Sequence, residues 1–234
     1  MYMHTTPTMR PGLLLLFFFT GLALHAQIST QSGSNGSILI TPKGLQGKTN
    51  AQDDTNNVAL GPFALFSNTG GGYNTAIGHG ALYFNKGVSS NLGPSGYYNT
   101  ATGYRALYRN NISHYSGTAF GNTANGYRAL FNNDFGALNT AVGYNALFNN
   151  TQSVGNTAVG AEALYANTAL SFGQSGDYNT AIGQYALKNN TIGRINTATG
   201  ANALYSNTTG TANTATGSDA LYSNSSGRGN TANG

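Results

Sequence analysis

The chain contains no cysteine and no tryptophan, and only 7% of its 234 residues are charged. The missing cysteine excludes disulfide staples and a lipidated Cys at the start of an exported protein. The sparse charge excludes the dense basic stripe of a nucleic-acid groove. Lys86, Arg105, Arg109, Arg128, Lys188, Arg194 and Arg228 are scattered and read as solvated surface charge, although Arg105 and Arg128 share one phase of a repeat and can stack as a small basic pair. Of six carboxylates only Asp53 and Asp54 adjoin, in a polar stretch that reads as a solvated linker rather than a catalytic dyad. Beyond the first 26 residues the only histidines are His79 and His114, neither beside a carboxylate at ligand spacing. A calcium-binding nonapeptide roll needs recurring Asp, and here Asn and Thr hold the polar positions. No metal, cofactor or catalytic group is therefore expected.

What the chain has instead is one phrase, Asn-Thr-Ala-x-Gly-x-x-Ala-Leu-aromatic-x-Asn, written nine times and begun a tenth. The copies open at Asn57, Asn74, Asn99, Asn122, Asn139, Asn156, Asn179, Asn196, Asn213 and Asn230. Six of the nine gaps are 17 residues; the other three are 25, 23 and 23. A unit this short cannot be a domain, so each copy must be one rung of a stacked array. A helix pair needs some thirty residues or more and few glycines. Two strands of about five residues with two tight turns fit the length. The expected fold is all-β: a parallel β-solenoid, or β-roll, of nine to ten rungs about 4.8 Å apart, a rod of roughly 40–45 Å.

The invariant positions then become ladders. Leu at position 9 (Leu65, Leu82, Leu107, Leu130, Leu147, Leu164, Leu187, Leu204 and Leu221) is the one large apolar residue that never varies, and should carry about 1.5–3 kcal/mol of burial each. Asn at position 12 (Asn68, Asn85, Asn110, Asn133, Asn150, Asn167, Asn190, Asn207 and Asn224) suits left-handed turn geometry and can donate and accept along the axis, as can the Asn of position 1. Ala at positions 3 and 8 is small enough for a thin interior, and Gly at position 5 suits a corner with positive φ. The aromatic of position 10, replaced only by Lys188, should point away from Leu in an extended segment, as an outer stack or second packing face. Position 4 varies among Leu, Ile, Val, Thr and Asn, and reads as a strand position that is not strictly buried. The longer linkers, Lys86–Tyr98, Asn111–Gly121 and Thr168–Tyr178, all follow position 12, which marks that corner as exposed.

Residues 1–26 read as a secretory signal peptide. Arg10 supplies the positive region, Leu13–Leu24 the apolar run, which is short of the ~20 residues that span a bilayer, and Ala26 a small residue before the cut. Residues 27–56 read as a polar lead-in or cap with one strand-like run at Ser37–Thr41, and 57–234 as the solenoid. The expected location is outside the cell or on a bacterial outer surface. Gly234 falls at position 5 of a copy, so the chain reads as a fragment, with any membrane tie supplied by an anchor beyond it.

Asn-Thr-Ala-Ile-Gly-x-x-Ala, at Asn74–Ala81 and Asn179–Ala186, resembles the head repeat of trimeric autotransporter adhesins, the YadA-like head. The likeness spans Asn57–Gly234; the copies here are longer than the family's and add the Ala-Leu-aromatic element. The resemblance implies a left-handed parallel β-roll, a homotrimer and a host, surface or matrix ligand. A thin Ala/Leu core gives the trimer separate physical support, with the Leu or the aromatic ladder facing the shared axis. The function read from this is a secreted or cell-surface adhesin-type module without catalysis. A second reading is an ice- or carbohydrate-binding solenoid, motivated by Thr-x-Thr at Thr100/Thr102, Thr197/Thr199 and Thr214/Thr216. A third is a hydrolase using Ser95 or Ser175 in the Gly-x-Ser-Gly inserts, where the second Gly comes one residue early for a nucleophile elbow.

Overall fold

The computed structural model describes residues 31–32, 38–39, 57–87, 95–110, 119–171 and 174–234. The signal-peptide segment, most of the lead-in, Asp53, Asp54 and His114 lie outside these. Two compact units, Met1–Leu39 and Ile40–Gly234, divide the chain. In the first, β1 (Gln31–Ser32) and β2 (Ile38–Leu39) form an antiparallel pair, with β2 inside the run read as strand-like.

The second unit is a parallel β-solenoid. Positions 2 to 4 of every copy form a three-residue strand: β3 (Val58–Leu60), β4 (Thr75–Ile77), β6 (Thr100–Thr102), β8 (Thr123–Asn125), β10 (Thr140–Val142), β11 (Thr157–Val159), β14 (Thr180–Ile182), β15 (Thr197–Thr199), β16 (Thr214–Thr216) and β17 (Thr231–Asn233). These ten make one parallel sheet in chain order. Register never slips, even across the long linkers: Thr75 pairs with Thr100, Thr100 with Thr123 and Thr157 with Thr180. In the linker Thr168–Tyr178, β12 (Ala169–Ser171) and β13 (Gln174–Ser175) pair antiparallel. No helix occurs among the described residues.

Each rung holds less strand than its sequence suggests. A second strand, at positions 11 and 12, forms in only three copies: β5 (Phe84–Asn85), β7 (Arg109–Asn110) and β9 (Asn132–Asn133). The rest of the rung is turn, and its geometry is regular. Left-handed backbone recurs at positions 5, 7 and 9 and at the last residue before the next copy, which is called position 17 in long copies as well. Each residue there points its N–H along the axis at a neighbouring rung: Gly103 to Ile77 O, Arg105 to His79 O, Leu107 to Ala129 O and Tyr98 to Gly72 O, all at 2.8–3.0 Å. Left-handed residues at alternate positions therefore turn the corner without giving up the ladder of hydrogen bonds.

Leu at position 9 was expected in extended backbone, and this is corrected: all nine sit at φ 49–53°. A left-handed Leu costs on the order of 1–2 kcal/mol. Burial returns a comparable amount or more, since Leu82 to Leu204 are fully enclosed with the Ala of positions 3 and 8. Leu65 is buried as well and Leu221 packs against the cluster from its edge. The file is continuous, because each Leu N–H from Leu65 to Leu204 bonds the position-8 carbonyl of the next rung. A ladder enclosed within its own rod cannot face the axis of a trimer, so that arrangement is excluded.

The Asn of positions 1 and 12 do not hold left-handed corners either. They are the polar half of the core. Along position 12, Nδ2 of Asn85, Asn110, Asn133, Asn150, Asn167, Asn190, Asn207 and Asn224 each donates to Oδ1 of the Asn one rung earlier, at 2.7–3.0 Å. Along position 1, Asn Oδ1 accepts the backbone N–H of the next Asn, as in Asn74 to Asn57 at 2.9 Å and Asn156 to Asn139 at 2.9 Å. The two files meet on one backbone carbonyl per rung. Ser153 O takes Nδ2 of Asn139 at 2.9 Å and of Asn150 at 3.1 Å. Asn156 Nδ2, beside the linker that carries β12 and β13, is buried without a partner.

Candidate binding surface

With Ala, Leu and Asn inside, everything that can meet a ligand is set by the variable positions. Three outward faces result. On the ten-stranded sheet, positions 2 and 4 face solvent because position 3 faces the core. Position 2 is Thr in nine of ten strands, and position 4 presents Leu60, Ile77, Val142, Val159 and Ile182 among Thr and Asn. No charged side chain occurs in either row.

Beside the sheet runs position 17, where Tyr73, Tyr98, Leu138, Tyr178 and Ile195 are among the most exposed apolar side chains of the described residues, at 52–63%. Tyr73 and Tyr98 stack at 5.4 Å.

The third face carries two files of rings. Position 10 stacks Phe66, Tyr83, Tyr108, Phe131, Phe148 and Tyr165 at 5.0–5.2 Å. Lys188 interrupts the file: it forms an ion pair with Glu162 at 2.8 Å and sits 4.4 Å from the Tyr185 ring and 5.8 Å from that of Tyr205. The hydrogen bond to Glu162 holds the Lys188 ammonium above its ordinary range, against the opposing pull of partial burial. Tyr205 and Tyr222 resume the stack at 5.0 Å. Position 6 stacks His79, Tyr104, Tyr127 and Tyr144 at 5.2–5.3 Å. The sequence reading missed this second file, although three tyrosines at one phase in successive copies were there to find.

Position 7 lies between the files. Arg105 places its guanidinium carbon 5.2 Å from the rings of both Tyr104 and Tyr108, and Arg128 places its own 5.2 Å from Tyr127 and 5.5 Å from Phe131. The basic pair is thus held between rings rather than spread in solvent. Burial raises the carboxyl of Asp134 above its usual range, and the neighbouring Arg109 pulls it partly back.

Ser95 is buried and its Oγ donates to Lys86 O at 3.3 Å, while Ser175 belongs to β13. No group of three His, Asp or Glu that could hold a metal occurs among the described residues, and no helix there is long and apolar enough to cross a membrane. No family model, no curated protein and no solved structure matches the chain.

Proposed function

We propose that this chain is an exported, non-catalytic attachment module of the kind that the YadA-like head repeats represent: a stiff rod whose surface repeats the same side chains at every rung. The observation that supports it best is the division of the copy. Core positions never change, while positions 2, 4, 6, 7, 10 and 17 form rows about 4.8 Å apart on the outside. Such rows bind an extended or repeating partner through many weak, equivalent contacts. A second reading, ordering of water at an ice surface, draws on one feature: the uncharged, in-register Thr row of position 2 beside a Thr and aliphatic row. One preparation separates the two. Labelled protein laid on immobilised cells and matrix polymers should be retained, and at high concentration should show no thermal hysteresis. Hysteresis without retention would favour the ice surface, and neither result would remove both.

The module is proposed to be a homotrimer. With Leu enclosed, the row best suited to self-association is position 17, since large apolar rows left in water are unusual. Asn tolerates the φ of 56–58° found at Leu138, Tyr178 and Ile195. Sedimentation should therefore give a trimer for the wild type and a folded monomer for Leu138→Asn/Tyr178→Asn/Ile195→Asn. A compact monomer of the unaltered chain would defeat the trimer.

A further inference from the structure

The face with two files of rings is built as a trough, and its floor is chemically unsatisfied. In three successive rungs the position-7 residues Arg105, Arg128 and Asn145 lie between the position-6 wall (Tyr104, Tyr127, Tyr144) and the position-10 wall (Tyr108, Phe131, Phe148). Nε of Arg105, Nε of Arg128 and Oδ1 of Asn145 are all buried without a hydrogen-bond partner. The two guanidinium groups, one rung apart, carry like charge. No carboxylate answers them among the described residues, and the undescribed stretches inside the array, 88–94, 111–118 and 172–173, contain none. Glu162, one rung beyond Asn145, is committed to Lys188.

A stacked pair of cations with no anion is unfavourable by itself. Rings on both sides hold the side chains in place, so the loss of freedom that binding would normally demand has already been met on folding. Guanidinium forks match a carboxylate in two parallel hydrogen bonds, which an ammonium cannot do. The aromatic walls, extending beyond the Arg pair on both sides, suit the C–H faces and hydroxyls of sugar rings better than a lone inorganic ion. The rung spacing of about 4.8 Å is close to the length of one sugar in an extended chain.

We propose that this trough binds a carboxylated polysaccharide lying along the rod, with a uronate carboxylate bridging Arg105 and Arg128, its hydroxyls reaching Asn145, and its rings against the tyrosine and phenylalanine files. This deepens the attachment reading by naming a ligand class. It rests on that reading only in treating the rod's surface as a binding surface.

The test is calorimetric titration of the whole protein with de-esterified oligogalacturonate and with the same oligomer fully methyl-esterified. The acid should bind and the neutral ester should not. Arg105→Asn/Arg128→Asn uses a residue the repeat already places at this position in Asn145 and Asn202, so its circular-dichroism spectrum should be unchanged. Its affinity should fall about tenfold or more. The control Arg194→Asn/Arg228→Asn removes two charges elsewhere and should bind as wild type. Equal binding of acid and ester, equal loss in the control, no loss in the trough variant, tighter binding of dextran sulfate than of the uronate, a monomer binding as well as the oligomer, or no binding at all would each overturn the proposal. Retention on cells or matrix by a protein that ignores oligogalacturonate would sink this inference alone and leave the attachment reading standing.

Discussion

Gly143→Ala is expected to destabilise the rod by roughly 3–5 kcal/mol, although it adds a single methyl group. Two costs combine. The residue sits at φ +134°, where an L side chain is strained whatever the space around it. The new Cβ would also lie 2.6 Å from Gly160 O and 2.8 Å from its carbonyl carbon, both backbone atoms of the next rung. Neither can move without separating the sheet, because Gly160 N donates to Val142 O at 2.8 Å in the same corner. The matched control is Gly229→Ala, at φ +70° with nothing within 4 Å of the added atom. Position 17 already accepts Ala212 at φ 56°, so this change should stay within about 1 kcal/mol. Thermal unfolding of the pair measures the difference. Similar midpoints for both variants would mean that the stacking of position-5 glycines is looser than described.

Asn150→Asp should do comparable harm by replacing one nitrogen with oxygen. Asn150 is fully buried; its Nδ2 donates to Asn133 Oδ1 at 3.0 Å and Ser153 O at 3.1 Å, and its Oδ1 accepts from Asn167 at 2.9 Å. A carboxylate oxygen in place of Nδ2 would face two acceptors with no donor between them. The ionised form also loses its water. Breaking such an arrangement costs about 3–5 kcal/mol, which for a chain of this size lowers Tm by roughly 10 °C. The sign of the pH dependence follows. Burial among acceptors raises the folded-state pKa above the unfolded value of about 3.9, so the folded variant binds the extra proton more tightly. Its stability is then greatest below about pH 4 and is lost as pH rises through the folded-state pKa, whereas the wild type lacks this slope. Asn149→Asp, at the half-buried neighbouring position where Oδ1 accepts from Asn132 at 3.2 Å, keeps its acceptor and should be nearly silent. Equal, pH-independent effects at 149 and 150 would contradict the amide ladder.

These two residues also show how far the sequence could be read. The phase of the copies placed Ala76, Leu82, Asn85 and their equivalents in files, and these files keep their register across the long linkers. Such filing follows from period alone. Period carries no information about φ, however. Leu is not a turn residue, and nothing in Ala-Leu-aromatic announces that the Leu is left-handed; only the need to aim its N–H at the next rung requires it. The meeting of Asn139 and Asn150 on Ser153 O was invisible for a different reason. The two amides are 11 residues apart and become neighbours only once the rung closes. The Arg105 and Arg128 pair was legible as a shared phase and the position-10 rings as an outer stack, but the placing of the two cations between that stack and a second file was not. Position 6 is tyrosine in only three copies, against a background of Pro62, Ala161, Gln184, Ala201 and Ser218.

The unbroken register across the long linkers has a bearing on how such a chain can vary. Since Thr75 meets Thr100 as squarely as Thr197 meets Thr214, the stack is indifferent to what is spliced in after position 12. Losing or gaining a whole copy leaves every surviving neighbour relation as it was. Losing a single residue within one puts the two sides of the break out of step, carrying Ala out of the interior and Thr into it. Rod length is thus a quantity that duplication can alter freely, while the spelling of each copy is not.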